Sequence, residues 1–296
     1  MCRVLAYLGR PILLDDLLYG AEAGLVRQAV DPQLMSLLNL GGFGLAAWAP
    51  SLPRPARPVT YRLATLPNFD RNLRNLAQKV EATAVVAHVR GVTYNERERV
   101  GTHNVHPFLF EDAAFALAQN GDLYGFGDMR FDLVERVRPE LASLIEGTTD
   151  TEWVYALVLS LLDDPYGSVS AREAAEAVER ALEILRAVRD ERGISVQSPV
   201  NLVLSDGTWL LATRFAFDYG WYPEDDSFFA HEREHDFTSL WFRAPDAADA
   251  EASVIVASEP LSEHHGGWFE VPEYSMVVAE RDARGEVAIE ARELPW

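Results

Sequence analysis

The sequence predicts an α+β protein in which two β-sheets are covered by helices. Short apolar runs closed by glycine or proline fill the first 120 residues, which reads as buried strands. Two long stretches with helical spacing follow, between 148 and 192. The last third returns to alternating or apolar strand patterns, so strands at both ends enclose helices, as layered α+β folds require.

The first run, Cys2 to Gly9, is apolar and stops near Pro11, and a Leu/Ala-rich stretch predicted as helical comes next. Gly41-Gly42-Phe43-Gly44-Leu45-Ala46-Ala47-Trp48 reads as a flexible turn entering an apolar strand. Pro50, Pro53, Pro55 and Pro58 mark an exposed loop. Ala84 to Val89 is a buried strand ending at Arg90, and Phe115 to Ala118 is another, ending at Gln119-Asn120-Gly121. Thr148 to Asp164 is predicted as a helix capped by Thr149 or Asp150, with Glu152 in its first turn. In the second helix, Ala171 to Arg192, residues Ala174, Val178, Ala181, Leu182, Leu185 and Val188 keep one face, and Gly193 ends it. Asp206-Gly207 then makes a hairpin between strands 201–204 and 209–213. Strands are expected at 253–257, 276–279 and 287–291, with Arg284-Gly285 turning between the last two.

The 296 residues are 48% hydrophobic and 24% charged, enough for a substantial core and too apolar for extensive disorder. No run approaches the roughly 18 apolar residues of a membrane span. Arg10, Pro11, Asp15 and Asp16 interrupt any signal-like core, so a cytoplasmic protein is expected. A formal charge of −20 argues against nucleic acid or an anionic membrane as partner.

Cys2 is the only cysteine, which excludes an intrachain disulfide and CxxC chemistry. A lone cysteine is ordinarily a small buried hydrophobe. At position 2, however, removal of Met1 would give it a free α-amino group beside its thiol. A thiolate attacks, and an amine with a pKa of roughly 8 can serve as the base for a thiol of roughly 8.5.

Attack on an amide creates an oxyanion that needs donors fixed beforehand. Asn120 and Gly121 can offer a side-chain amide and an unhindered backbone N–H, although this dipeptide ordinarily makes a hairpin turn. An amino-acid substrate also needs a cation for its carboxylate and an anion for its ammonium. Arg90 suits the first through its planar fork, and Asp150 suits the second while also able to cap a helix.

The motifs MCRVLAYLG, GGFGLAAW, AHVRGVT, NVHPF, QNG and GTTDTE, in this order, resemble class II glutamine amidotransferases. The likeness is to the small single-domain kind, including the γ-glutamyl hydrolase of the ergothioneine pathway. It spans residues 2 to about 165, with weaker echoes in NLVLSDGTWLLATR and VIVASEPL. The resemblance implies a four-layer αββα N-terminal-nucleophile fold, a single domain over residues 2–296 and a glutamyl-thioester on Cys2. It implies catalytic roles for Cys2, Asn120 and Gly121, and substrate binding by Arg90, Thr93 and Asp150. It also makes His106 a structural support near the pocket. The implied substrate is glutamine or a γ-glutamyl amide, with a separate ammonia-accepting synthase as a possible partner and no cofactor or metal. Two positions depart from the family: Gln119 replaces the usual histidine, and Gly42 is read as replacing the acid of an Asp-Gly-Phe-Gly motif.

Other readings compete. His231-Glu232-Arg233-Glu234-His235 fits HExxH, with Glu259, Glu263, His264 or His265 as a third zinc ligand. It lies among Asp225, Asp226 and Asp236 and lacks an apolar helix around it, so an exposed polar segment is expected instead. A non-catalytic glutamine-binding subunit would have little chemical need for Cys2, Arg90, Asn120, Gly121 and Asp150 together. An N-terminal-cysteine amidase of acylated amines would not need the Arg90 and Asp150 pair.

Overall fold

The structure is a computed structural model and describes residues 2–34, 38–92, 100–222, 239–244, 253–262 and 266–296. Strands β1 (Arg3–Leu13), β2 (Gly42–Trp48), β3 (Val59–Leu63) and β4 (Glu81–Arg90) join β9 (Trp241–Arg243), β10 (Val254–Ala257) and β11 (Trp268–Glu270) in one seven-stranded sheet. Its order is β11-β9-β10-β1-β4-β2-β3, which places β1 near the centre between β10 and β4. The second sheet contains β5 (Ala116–Gly121), β6 (Ser198–Ser205), β7 (Trp209–Arg214), β12 (Ser275–Arg281) and β13 (Val287–Glu293), with β8 (Ala216–Phe217) beside β6. All of the pairings are antiparallel.

Side-chain alternation explains the layers. Along β1, Val4, Ala6 and Leu8 face a core built with Ala46, Ala84, Val86, Ala116, Ala118, Val203 and Val277. These residues come from both sheets, so this core lies between them, and its many alanines let the sheets approach closely. The opposite face of β1 carries Leu5 and Tyr7, which pack with Leu14, Leu17, Leu18, Leu25, Val26, Leu73 and Ala77. That outer layer comes from a π-helical turn, Asp16–Gly20, with α1 (Leu25–Gln28) and α2 (Arg71–Ala77).

On the far side of the second sheet lie α3 (Phe126–Leu133), α4 (Pro139–Ala142), α5 (Asp150–Ser160) and α6 (Ala171–Glu191). Ser170 caps α6 through a reciprocal capping box with Glu173. The result is the αββα layering expected from the sequence. Three expectations need correction. The Leu/Ala-rich stretch after β1 makes only short helical turns. The Asn120-Gly121 pair ends a strand, with Asn120 opposite Asn201 and Gly121 opposite Val200, and makes no hairpin turn. The helix predicted over 148–164 is shorter, and its N-cap residue Thr149 makes no side-chain cap bond.

Candidate active site

Cys2 immediately precedes β1 and is buried. The Gly91 N–H donates to Cys2 Sγ at 3.3 Å, and the thiol reaches the Gly91 carbonyl at 3.7 Å. Gly91 follows Arg90, the last residue of the neighbouring strand β4, so sheet pairing brings Cys2 and Arg90 to the same end. Burial pushes the Cys2 thiol up, while the Gly91 N–H and the Arg90 charge pull it back and the Asp150 charge raises it further. A thiol held in its protonated form needs a base at the moment of attack.

Asp150 is buried at the first residue of α5. Its Oδ2 accepts from Leu123 N at 2.8 Å and from Gln119 Nε2 at 3.1 Å. Its Oδ1 accepts from Thr151 N at 2.8 Å and from Thr151 Oγ1 at 3.3 Å. Burial pushes this carboxyl up, and those donors oppose the shift.

Asn120 is fully buried at the end of β5, and its Nδ2 donates to Ser258 Oγ at 3.0 Å. Gly121 has a φ of +150°, and a Cβ there would lie 1.8 Å from the Pro199 carbonyl oxygen. No side chain fits at that position, so glycine is required by both backbone and space.

Behind these residues sits a histidine pair. The His88 and His106 rings lie 4.3 Å apart, with His88 Nε2 3.0 Å and His106 Nδ1 3.2 Å from the Gln119 carbonyl oxygen. Burial, with the Arg90 charge beside it, lowers His88 to about 3. Burial and the neighbouring His88 and Arg90 charges likewise lower His106. Both rings are neutral supports for the strand that carries Asn120.

The structure thus gathers Cys2, Arg90 and Asp150 within electrostatic reach, with Asn120 two hydrogen bonds from β1. Thr93 lies outside the described residues, as do the HExxH segment and three of its possible third ligands, Glu263, His264 and His265. Glu259, the fourth, is fully buried against Arg3 and the backbone of Gln33 and Leu34. Among the described residues, no group of three or more His, Cys, Asp or Glu could hold a metal ion.

Gly42 takes a φ of +128°, and a Cβ there would meet the Leu63 carbonyl oxygen at 2.6 Å. Position 42 therefore carries no acid, and the frame of Asp-Gly-Phe-Gly places the acid's equivalent at Gly41. Gly41 donates its N–H to the Arg90 carbonyl at 2.8 Å. Sequence reasoning gave Ser258 no role and offered Glu259 only as a possible zinc ligand. Their signals were the family echo in VIVASEPL and the apolar run before them, which predicts a strand end and no chemistry.

Two helix-covered antiparallel sheets, with Cys2 at the start of a central strand, have the fold of N-terminal-nucleophile enzymes. The chain belongs to the class II glutamine amidotransferases: residues 42–293 match the family described as glutamine amidotransferases class-II. That match begins after Cys2. The probable glutamine amidotransferase DUG3 of Saccharomyces cerevisiae is 27% identical over 302 residues, covering 95% of this chain and 82% of the yeast protein. The fold is similar to that of a glutamine aminotransferase class-II domain protein from Silicibacter pomeroyi, with a TM-score of 0.63, 21% identity and full coverage of both chains. It is also similar to glutamine phosphoribosylpyrophosphate amidotransferase from B. subtilis. There the TM-score is 0.60 and the identity 16%, over 99% of this chain and 49% of that one. Among the described residues, no helix is long and apolar enough to cross a membrane.

Proposed function

We propose that residues 2–296 form one amidohydrolase domain that cleaves the side-chain amide of glutamine or of a γ-glutamyl amide through a thioester on Cys2. The observation that carries this reading is the buried Cys2 thiol, hydrogen-bonded to Gly91 beside Arg90 and within reach of the Asp150 charge. After Met1 is removed, the Cys2 α-amine takes the thiol proton as Sγ attacks the amide carbon. The Asn120 side-chain amide and the Gly121 N–H stabilise the resulting oxyanion. The carbon–nitrogen bond then breaks, the α-ammonium returns its proton to the departing nitrogen, and ammonia or an amine leaves. Water, deprotonated by the same amine, hydrolyses the thioester to a free γ-carboxylate and restores the thiol.

Arg90 pairs with the substrate α-carboxylate and Asp150 with its α-ammonium. This pair favours a glutamyl group over an acyl group without free charges. The released nitrogen passes either to a separate synthase or to solvent. The test is product analysis with glutamine and a panel of γ-glutamyl amides. Release of glutamate and the matching amine supports the reading, and cleavage confined to acyl amides lacking an α-amino acid contradicts it.

A further inference from the structure

Ser258 immediately follows β10 and is fully buried. Its N–H donates to the Val4 carbonyl at 3.0 Å, and its Oγ accepts from the Val4 N–H at 3.0 Å. The same Oγ accepts from Asn120 Nδ2 at 3.0 Å, across the gap between the two sheets. Ser239 Oγ fixes Ser258 from the other side by donating to its carbonyl at 3.0 Å. One hydroxyl therefore links the strand carrying Cys2 to the side chain of Asn120.

The geometry points to Ser258 as the positioning residue of the oxyanion hole. This rests on the reading that Asn120 is an oxyanion donor. An amide nitrogen carries two hydrogens, and in the structure one is directed to Ser258 while the other remains for an oxyanion. Asn120 Oδ1 is buried and has no hydrogen-bond partner among the described residues. Turning the amide over would let the Ser258 hydroxyl donate to Oδ1 and would aim both Nδ2 hydrogens elsewhere. In either orientation Ser258 fixes one end of the amide, and so fixes where the other end points. A donor gains its catalytic effect from being held before charge develops, so loss of this anchor lowers turnover and leaves substrate affinity intact.

The experiment is steady-state release of glutamate by the full chain from L-glutamine or from the γ-glutamyl amide that wild type cleaves best. It compares wild type with Ser258→Ala, Ser258→Cys, Ser258→Thr, Asn120→Ala and the Ser258→Ala/Asn120→Ala double variant. Ser258→Ala should lower kcat about tenfold to a hundredfold with KM within about twofold. Ser258→Thr, which keeps the hydroxyl, should recover most of that loss. In the Asn120→Ala background Ser258→Ala should cost nothing further, because the two act as one unit. Ser258→Cys keeps the shape with a poor hydrogen-bonding group and serves if the alanine variant does not fold. Wild-type kcat in a folded Ser258→Ala or Ser258→Cys protein, beside a disabled Asn120→Ala, overturns the inference. An equal loss in both backgrounds overturns it too, since Ser258 would then act elsewhere. Wild-type kcat in Asn120→Ala, or no glutamate from wild type, overturns the underlying reading of Asn120 or of the substrate.

Discussion

The side-chain amide of Gln119 donates to the Asp150 carboxylate across 3.1 Å, tying the strand that carries Asn120 to the first turn of α5. Position 119 is one where the resemblance to the family implies a histidine. Here a neutral amide supplies the N–H, so Asp150 keeps a donor without an added positive charge. In the proposed function, the charge left on Asp150 meets the substrate ammonium.

Truncating Arg90 or Asp150 to alanine should therefore remove a charge-assisted contact to the substrate. Each is expected to cost about 2–4 kcal/mol of transition-state stabilisation, roughly a thirtyfold to thousandfold loss in kcat/KM. The loss should be shared by every γ-glutamyl substrate. Near-wild-type kcat/KM in both variants would show that the substrate is not held as an amino acid.

Gly121→Ala should be worse than its size suggests. The new Cβ would meet the Pro199 carbonyl oxygen at 1.8 Å, with φ at +150°. The end of β5 must move, carrying Asn120 with it, at a cost of about 2 kcal/mol or more. Chemical denaturation and kcat should fall together, and a fully stable, fully active variant would refute this account of the strand end.

Glu259 and Arg3 form a buried ion pair at 3.8 Å, and Arg3 Nη1 donates to the Cys2 carbonyl at 3.1 Å. Glu259→Ala strands the Arg3 charge and two backbone N–H groups, so a loss of about 3–5 kcal/mol in urea unfolding is expected. Glu259→Gln keeps an acceptor for Gln33 and Leu34 and should lose less. Equal stability of the alanine variant and wild type would show that the pair is not structural.

The buried histidines predict an acid sensitivity. His88 and His106 are held neutral when folded, by burial first and by the Arg90 charge, and titrate near 6.5 when unfolded. Above that pH neither state binds the protons and the pair has no effect. As pH falls from about 6.5 toward about 3, where His88 finally protonates, the unfolded chain gains protons that the folded chain refuses. Each neutral histidine should then cost about 1.4 kcal/mol per pH unit. Urea unfolding between pH 7.5 and 4.5 should show a shallower decline in a His106→Gln variant, and an unchanged slope would exclude His106 as a source.

Much of this arrangement was legible in the sequence, for reasons that also mark its limits. β1, β2, β4 and α6 are central or strongly periodic, so their patterns report burial directly. β3 was missed because Val59–Leu63 is a half-buried edge strand with mixed polarity. α2 was missed because it is short and mostly polar, defined by an Asp70 cap. Arg90, Asn120, Gly121 and Asp150 are proposed through motif order. Choosing the strand end over a hairpin turn at Asn120-Gly121 needs β6, which arrives about eighty residues later. Ser258, Glu259 and the Gln119–Asp150 bond depend on contacts between or beyond the sheets, which no local pattern encodes.

The central claim is that Cys2 acts as an amino-terminal nucleophile, its own α-amine serving as base. Intact-mass measurement of the active enzyme, before and after reaction with an electrophilic glutamine analogue, tests it most directly. The account predicts a chain lacking Met1, a single adduct mapped to Cys2, loss of activity in step with labelling, and no adduct on Cys2→Ser. Full activity in protein that retains Met1, or inactivation with the label elsewhere, would contradict it.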